Sequence, residues 1–132
     1  TEMDPKLVAE SRNMGFDTSQ VGVLSLDVSE RYDTVFMWHV LEHIYDVKNV
    51  VAMLEKITKK YAVIEVPMLK ALNGQGRERK LTNPNLGDYD GHYHYFCEKS
   101  FRATIESSGF EILHLSEGVQ SPALLTILEN KL

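Results

Sequence analysis

The 132-residue chain is short of several things at once, with one cysteine, one tryptophan and four prolines. A lone Cys97 closes no internal disulfide, which fits a reducing compartment and leaves the fold to be held by packing. Positive charge is also scarce: 14 Lys plus Arg stand against 19 Asp plus Glu, a formal net charge of −5. Gripping a phosphate backbone needs clustered Lys and Arg, so a nucleic-acid partner is not expected. The basic residues that do cluster, Lys70, Arg77, Arg79 and Lys80, are soon followed by Asp88 and Asp90 and read as a solvated loop. Long apolar runs are missing too. Stretches such as Val50 to Leu54 fall far below the about 20 residues of a membrane span. Acids and Pro5 open the sequence where a secretory leader would be basic and then apolar. The expectation is a cytoplasmic, mildly acidic single domain over residues 1–132, with 43% hydrophobic residues to build a core.

The elements follow from capping and periodicity. Asp4 and Pro5 open a helix over Lys6 to Met14, and Gly15 provides its left-handed exit. Val21 to Leu26 is a short strand candidate interrupted by Gly22. Asp33 to Trp38 is apolar on both faces, as a buried central strand would be. Asp46 caps a helix reaching to about Lys59, and Tyr61 to Val66 is a second buried strand stopped by Pro67. Residues 67–97, rich in Gly, Asn and Asp, form a long loop of the kind that binds substrates. A helix over Glu98 to Ser108 ends at Gly109. Phe110 to Leu115 and Ala123 to Glu129 close the chain as a hairpin turning around Gly118 and Pro122.

This order is the grammar of an α/β fold, mostly parallel with a carboxyl-terminal antiparallel hairpin. Ligands in such sheets bind outside the carboxyl ends of the strands. Four of the five histidines, His39, His43, His92 and His94, follow the two buried strands. The run His39-Val40-Leu41-Glu42-His43 has the order of inverted zinc peptidases, which requires all five residues on one helix. A second reading, which follows from the family resemblance described below, gives His43 to proton transfer, which imidazole suits near neutrality, or to positioning an acceptor. A third is structural, with Val40, Leu41 and Ile44 buried against the sheet. If the segment after Asp90-Gly91 is extended, His92 and His94 alternate onto one side.

Four segments in order carry a family resemblance. Tyr32 to Ile44 followed by Asp46 resembles the fourth strand and following loop of class I S-adenosylmethionine-dependent methyltransferases. Ile64-Glu65-Val66-Pro67 resembles the end of their fifth strand. Gly91 to Phe96, with Ser100-Phe101 and Ser108-Gly109-Phe110-Glu111, is similar to the stretch around their last helix and sixth strand. Met3-Asp4-Pro5 resembles the end of their second strand, where an acid holds the ribose hydroxyls. The resemblance implies a Rossmann-like methyltransferase sheet and methyl transfer from S-adenosylmethionine to an O, N or C nucleophile of a small-molecule acceptor. It places Asp4, Asp27, Trp38 and His39 on the cofactor, and His43 and His94 in catalysis. Val23 stands where the family often has an acid, and Asp27 comes a few residues late.

Small-RNA 2′-O-methyltransferases of this superfamily hold a divalent cation with an E-x-x-E-H loop and a later histidine. The matching set here is His39, Glu42, His43 and His92 or His94, with His39 in place of the first acid. Nitrogen-rich ligands would favour Zn, Mn or Ni over Mg. On the same resemblance, the family's first strand, its following helix and its Gly-rich cofactor turn would precede Thr1. Asn73-Gly74-Gln75-Gly76 lacks the third glycine and does not replace that turn. The chain is therefore expected to be a carboxyl-terminal part that binds the cofactor weakly alone. Its Asp33 to Trp38 strand would then present an open edge, to pair with a missing amino-terminal segment or with a second copy in a homodimer. The alternative function is a non-catalytic methyltransferase-like module that self-associates or forms half of a split enzyme.

Overall fold

A computed structural model of the chain describes residues 1–67, 92–94, 96–117 and 123–131. The Lys70 to Lys80 cluster, Asp88, Asp90, the Asn73 to Gly76 run, most of the 67–97 loop and the turn at Gly118 and Pro122 lie outside them. The chain divides into two compact units, Thr1–Glu30 and Arg31–Leu132.

In the first unit, helix α1 spans Pro5–Asn13. The Asp4 carboxylate accepts the Lys6 N–H at 2.8 Å, and Pro5 occupies a position whose N–H would have no partner in any case. Gly15, at φ +90°, turns the chain out of the helix in a conformation that side chains with a Cβ resist. Val8 is the buried residue of α1. The strand expected at Val21 to Leu26 does not form. Val23–Ser25 is a 3-10 turn, closed by Ser25 N–H donating to the Gly22 carbonyl at 2.9 Å. A strand exists only through a partner's hydrogen bonds; here the turn takes up backbone groups locally. Pairing nearby is confined, among the described residues, to one parallel bridge between Glu2 and Gln20.

The second unit is a sheet with helices on one face. Strands β1 (Tyr32–Trp38), β2 (Thr58–Pro67), β3 (Phe110–Glu117) and β4 (Ala123–Asn130) lie in the order β1-β2-β4-β3. The β1–β2 pair is parallel, while the β2–β4 and β3–β4 pairs are antiparallel. Helix α2 (Val47–Ile57) connects the parallel pair, and helix α3 (Glu98–Glu106) precedes the hairpin. The Asp46 carboxylate accepts the Asn49 N–H at 3.1 Å, capping α2. Along α2, Val47, Val50, Val51, Leu54 and Ile57 recur at helical spacing and are all buried, forming one apolar stripe. They meet Met37 of β1, Ala62, Ile64 and Val66 of β2, and Phe101 and Ile105 of α3, all buried.

Helix α2 stops at Ile57, short of the expected Lys59, because Thr58 already belongs to the sheet, opposite Tyr32. The Thr58 carbonyl accepts bonds from Asn130 Nδ2 at 2.7 Å and Arg31 at 2.9 Å. Asn130 Nδ2 also donates to the Glu55 carbonyl at 2.9 Å, so one amide satisfies two carbonyls at the end of α2. Strand β1 differs from the strand buried on both faces that its composition suggests. It ends the strand order, and only Met37 is buried along it. Phe36 and Trp38 alternate onto the sheet's other face and are 69% and 54% exposed.

Candidate functional site

The carboxyl end of β1 breaks its extended geometry abruptly. His39 takes φ +50°, a left-handed conformation uncommon outside glycine and often found where function over-determines the backbone. Two contacts to β2 hold it there. Its N–H donates to the Glu65 carbonyl at 3.0 Å, and its Nε2 lies 2.9 Å from Glu65 Oε1. The turn aims the chain into a short 3-10 helix, Leu41–His43. The five residues of the H-x-x-E-H run therefore share no helix, and the inverted zinc peptidase reading fails on geometry.

Leu41 and Glu42 are both 0% exposed. Burying Leu41 anchors the turn in the core; burying Glu42 is costly. Neither Glu42 carboxylate oxygen has a hydrogen-bond partner, and an unpartnered polar group out of water costs about 2–7 kcal/mol, a charged one more. Imidazole nitrogens surround it at longer range. His39 Nδ1 is 3.4 Å from Oε1, His43 Nε2 3.8 Å and His92 Nε2 4.0 Å. The rings of His43 and His92 meet edge to face with centroids 4.5 Å apart.

Backbone bonds bring the distant histidines here. The Glu42 carbonyl accepts the Tyr93 N–H at 2.8 Å and the His94 N–H at 3.1 Å, which pins residues 92–94 against the 3-10 turn. The two neighbouring histidines then part company. His92 joins Glu42 and His43, whereas His94 Nε2 donates to the Tyr45 carbonyl at 3.0 Å, and its ring stacks on Phe96. Since a carbonyl only accepts, that bond puts the proton on Nε2 and leaves Nδ1 with a lone pair in the neutral ring. His94 also lines an open groove of about 450 Å³ with Tyr45, Asp46, Phe96 and Thr104.

Asp4 caps α1 and Asp27 accepts the Ser29 N–H at 2.8 Å; that backbone bond, with a second from the Ser29 side chain, holds its carboxyl below the ordinary range. Trp38 is the last residue of β1. His114 is exposed on β3. Glu65 was not singled out for its carboxylate, although its place opposite Trp38 in the β1–β2 register is what brings it to His39. Its position near the end of a parallel strand was the available signal.

A site beyond the carboxyl ends of parallel strands, behind a helix-covered sheet, defines an α/β ligand-binding fold of the Rossmann-like kind. The chain belongs to the Methyltransferase domain family, whose model matches residues 2–115. It is similar to the magnesium protoporphyrin IX methyltransferase of Synechocystis solved with bound S-adenosylhomocysteine (TM-score 0.70, 14% identity), covering 98% of this chain and 62% of that one. It is similar to a candidate S-adenosylmethionine-dependent methyltransferase of Listeria monocytogenes (TM-score 0.77, 12% identity), covering 99% and 78% of the two chains. It is also similar to a candidate methyltransferase of Haloferax volcanii solved in complex with the Trm112 methyltransferase activator (TM-score 0.74, 11% identity, 98% and 70% covered). No curated protein matches the chain in sequence. The Rossmann-like methyltransferase fold expected from the sequence is the fold observed. Among the described residues no helix is long and apolar enough to cross a membrane.

Proposed function

We propose that the chain serves S-adenosylmethionine-dependent methyl transfer to a nucleophilic O, N or C atom of a small-molecule acceptor in the cytoplasm. The observation that carries this reading is the gathering of His39, Glu42, His43 and His92 just past the end of β1 in a chain of this family. In the transfer the sulfonium C–S bond breaks as the acceptor–carbon bond forms in line, and the acceptor loses a proton. Most of the acceleration in such a displacement comes from positioning. His43 orients the acceptor, and the lone pair on His94 Nδ1 takes the proton. Asp4, Asp27, Trp38 and His39 are the residues assigned to the cofactor. A divalent ion is compatible with this chemistry and is not required by it.

Amide shifts of the labelled chain during titration with S-adenosylhomocysteine test the reading. Saturable shifts at Trp38 and His39 that disappear in Asp4→Ala support it, even at the weak affinity expected of the chain alone. A folded chain that shows no shifts at about 1 mM ligand, equivalent to about −4 kcal/mol, overturns it. Methyl label from the cofactor recovered on macromolecules instead of low-mass products would overturn the small-molecule acceptor.

A second reading is favoured by one observation: β1 ends the strand order with Phe36 and Trp38 exposed. An apolar edge strand is a template for pairing, and a second copy of the chain is the occupant proposed, in a non-catalytic, self-associating module. Sedimentation tests it, and a monomer at high concentration would dismiss it.

A further inference from the structure

We infer that Glu42, His43 and His92 form a site for one divalent cation of the zinc type. Three independent features lead there. The ligand atoms of the three residues all lie within 4.8 Å of one another. The Glu42 carboxyl group is 0% exposed with neither oxygen hydrogen-bonded, so the site holds two buried oxygens whose lone pairs no hydrogen bond takes up. Residues 92–94 are fixed to the Glu42 carbonyl by two backbone bonds, so His92 reaches the carboxylate from a preset position.

The spacing is close to what an ion demands. Donors at about 2.1 Å from a tetrahedral zinc are about 3.4 Å apart. Glu42 Oε1 stands 3.8 Å from His43 Nε2 and 4.0 Å from His92 Nε2, and all three ligand atoms lie within 4.8 Å of one another, so side-chain shifts of about 1 Å or less close the trio around an ion. Two imidazole nitrogens and one carboxylate suit Zn²⁺ or Co²⁺ better than Mg²⁺, which prefers oxygen and water. Three protein ligands leave a fourth position open, the arrangement of zinc sites that bind a further molecule. That position is reachable, since the His43 side chain is 41% exposed. A cation there also offsets the cost of burying Glu42, which no neighbouring donor does by hydrogen bonding.

His39 stands outside the trio. Its Nε2 is engaged by Glu65 and its Nδ1 approaches Glu42, so it is a positioning residue that orients the carboxylate. His94, held by the Tyr45 carbonyl, is also outside. The inference stands whether or not the chain transfers a methyl group, and its test reads metal binding alone.

The experiment is titration of the chelator-stripped chain, free of any histidine tag, with Co²⁺, followed by its visible absorption and then by displacement with Zn²⁺. One Co²⁺ per chain is expected, displaced by Zn²⁺ and unaffected by Mg²⁺. His92→Ala and Glu42→Gln should each weaken binding by more than about 100-fold, and His39→Ala by about 10–100-fold, as loss of an orienting partner does. His114→Ala should leave it unchanged. If Glu42→Gln fails to fold, His92→Ala decides. A folded wild-type chain without saturable Co²⁺ or Zn²⁺ binding, or a His92→Ala chain that binds as tightly as wild type, overturns the assignment. Displacement of the Co²⁺ by Mg²⁺ as readily as by Zn²⁺ overturns the zinc-type class.

Discussion

Replacing His39 by glycine should leave a more stable protein than replacing it by alanine, the reverse of the usual order. His39 has φ +50°, where a residue bearing a Cβ pays about 1–2 kcal/mol and glycine pays nothing. Glycine also loses about 0.4–1 kcal/mol more chain entropy on folding. The difference leaves glycine ahead by about 0.5–1 kcal/mol. Both variants delete the same imidazole, with its contacts to Glu42 and Glu65, so those losses cancel in the comparison. The His39 side chain is 41% exposed, so unequal burial adds little. Urea denaturation of the two variants measures the gap directly, and a melting comparison should show about 2–5 °C in favour of glycine. Equal stabilities, or alanine ahead, would mean that residue 39 is not left-handed in solution. The turn that delivers Glu42 to its buried position would then need another explanation.

Other perturbations read other parts of the fold. Asn130→Ala should cost about 1–3 kcal/mol by orphaning the Glu55 carbonyl, because the Thr58 carbonyl keeps Arg31; chemical denaturation giving less than half of that would refute the capping role. Asn130→Asp should cost more. A carboxylate facing two carbonyls titrates above its unfolded value, so the deficit is smallest below pH of about 4 and grows as pH rises through that raised value; a deficit independent of pH would contradict this. Phe101, 0% exposed and edge-on to Phe96 with centroids 5.5 Å apart, should cost about 3–5 kcal/mol when cut to alanine, measured by urea titration. The Ser100 hydroxyl, beside the sulfur and bonded to the Cys97 backbone, holds the Cys97 thiol below its ordinary range. Ser100→Ala should therefore slow alkylation of Cys97 at neutral pH, and an unchanged rate would refute that cause.

What was legible in the sequence is what local physics decides. The Asp46 cap and the stripe from Val47 to Ile57 announce α2, and the β-formers of Tyr61 to Val66 fall within β2. Where the outcome depends on a partner, the local pattern is silent. Val21 to Leu26 has strand composition but forms a 3-10 turn, because composition does not provide a neighbour. Asp33 to Trp38 is apolar on both faces, yet only one face is covered and Phe36 stays exposed. At the site, the spacing of His39, Glu42 and His43 was visible, while the burial of Glu42 and its missing hydrogen bonds were not. The arrival of His92, and its separation from His94, depend on two N–H groups finding the Glu42 carbonyl. No periodicity encodes that contact.

The same pinning has a consequence for the folding equilibrium. His94 and Tyr45, which the site joins, are 49 residues apart in the chain, so the grouping does not exist until that long loop has closed. A ligand that needs both sides of the cluster binds the native chain and not the unfolded one. Its free concentration then sets the folded fraction, and at about 100 times its Kd it adds about 2.7 kcal/mol to the unfolding free energy. The midpoint of denaturation thus becomes a gauge of occupancy, readable without knowing what reaction the occupant undergoes.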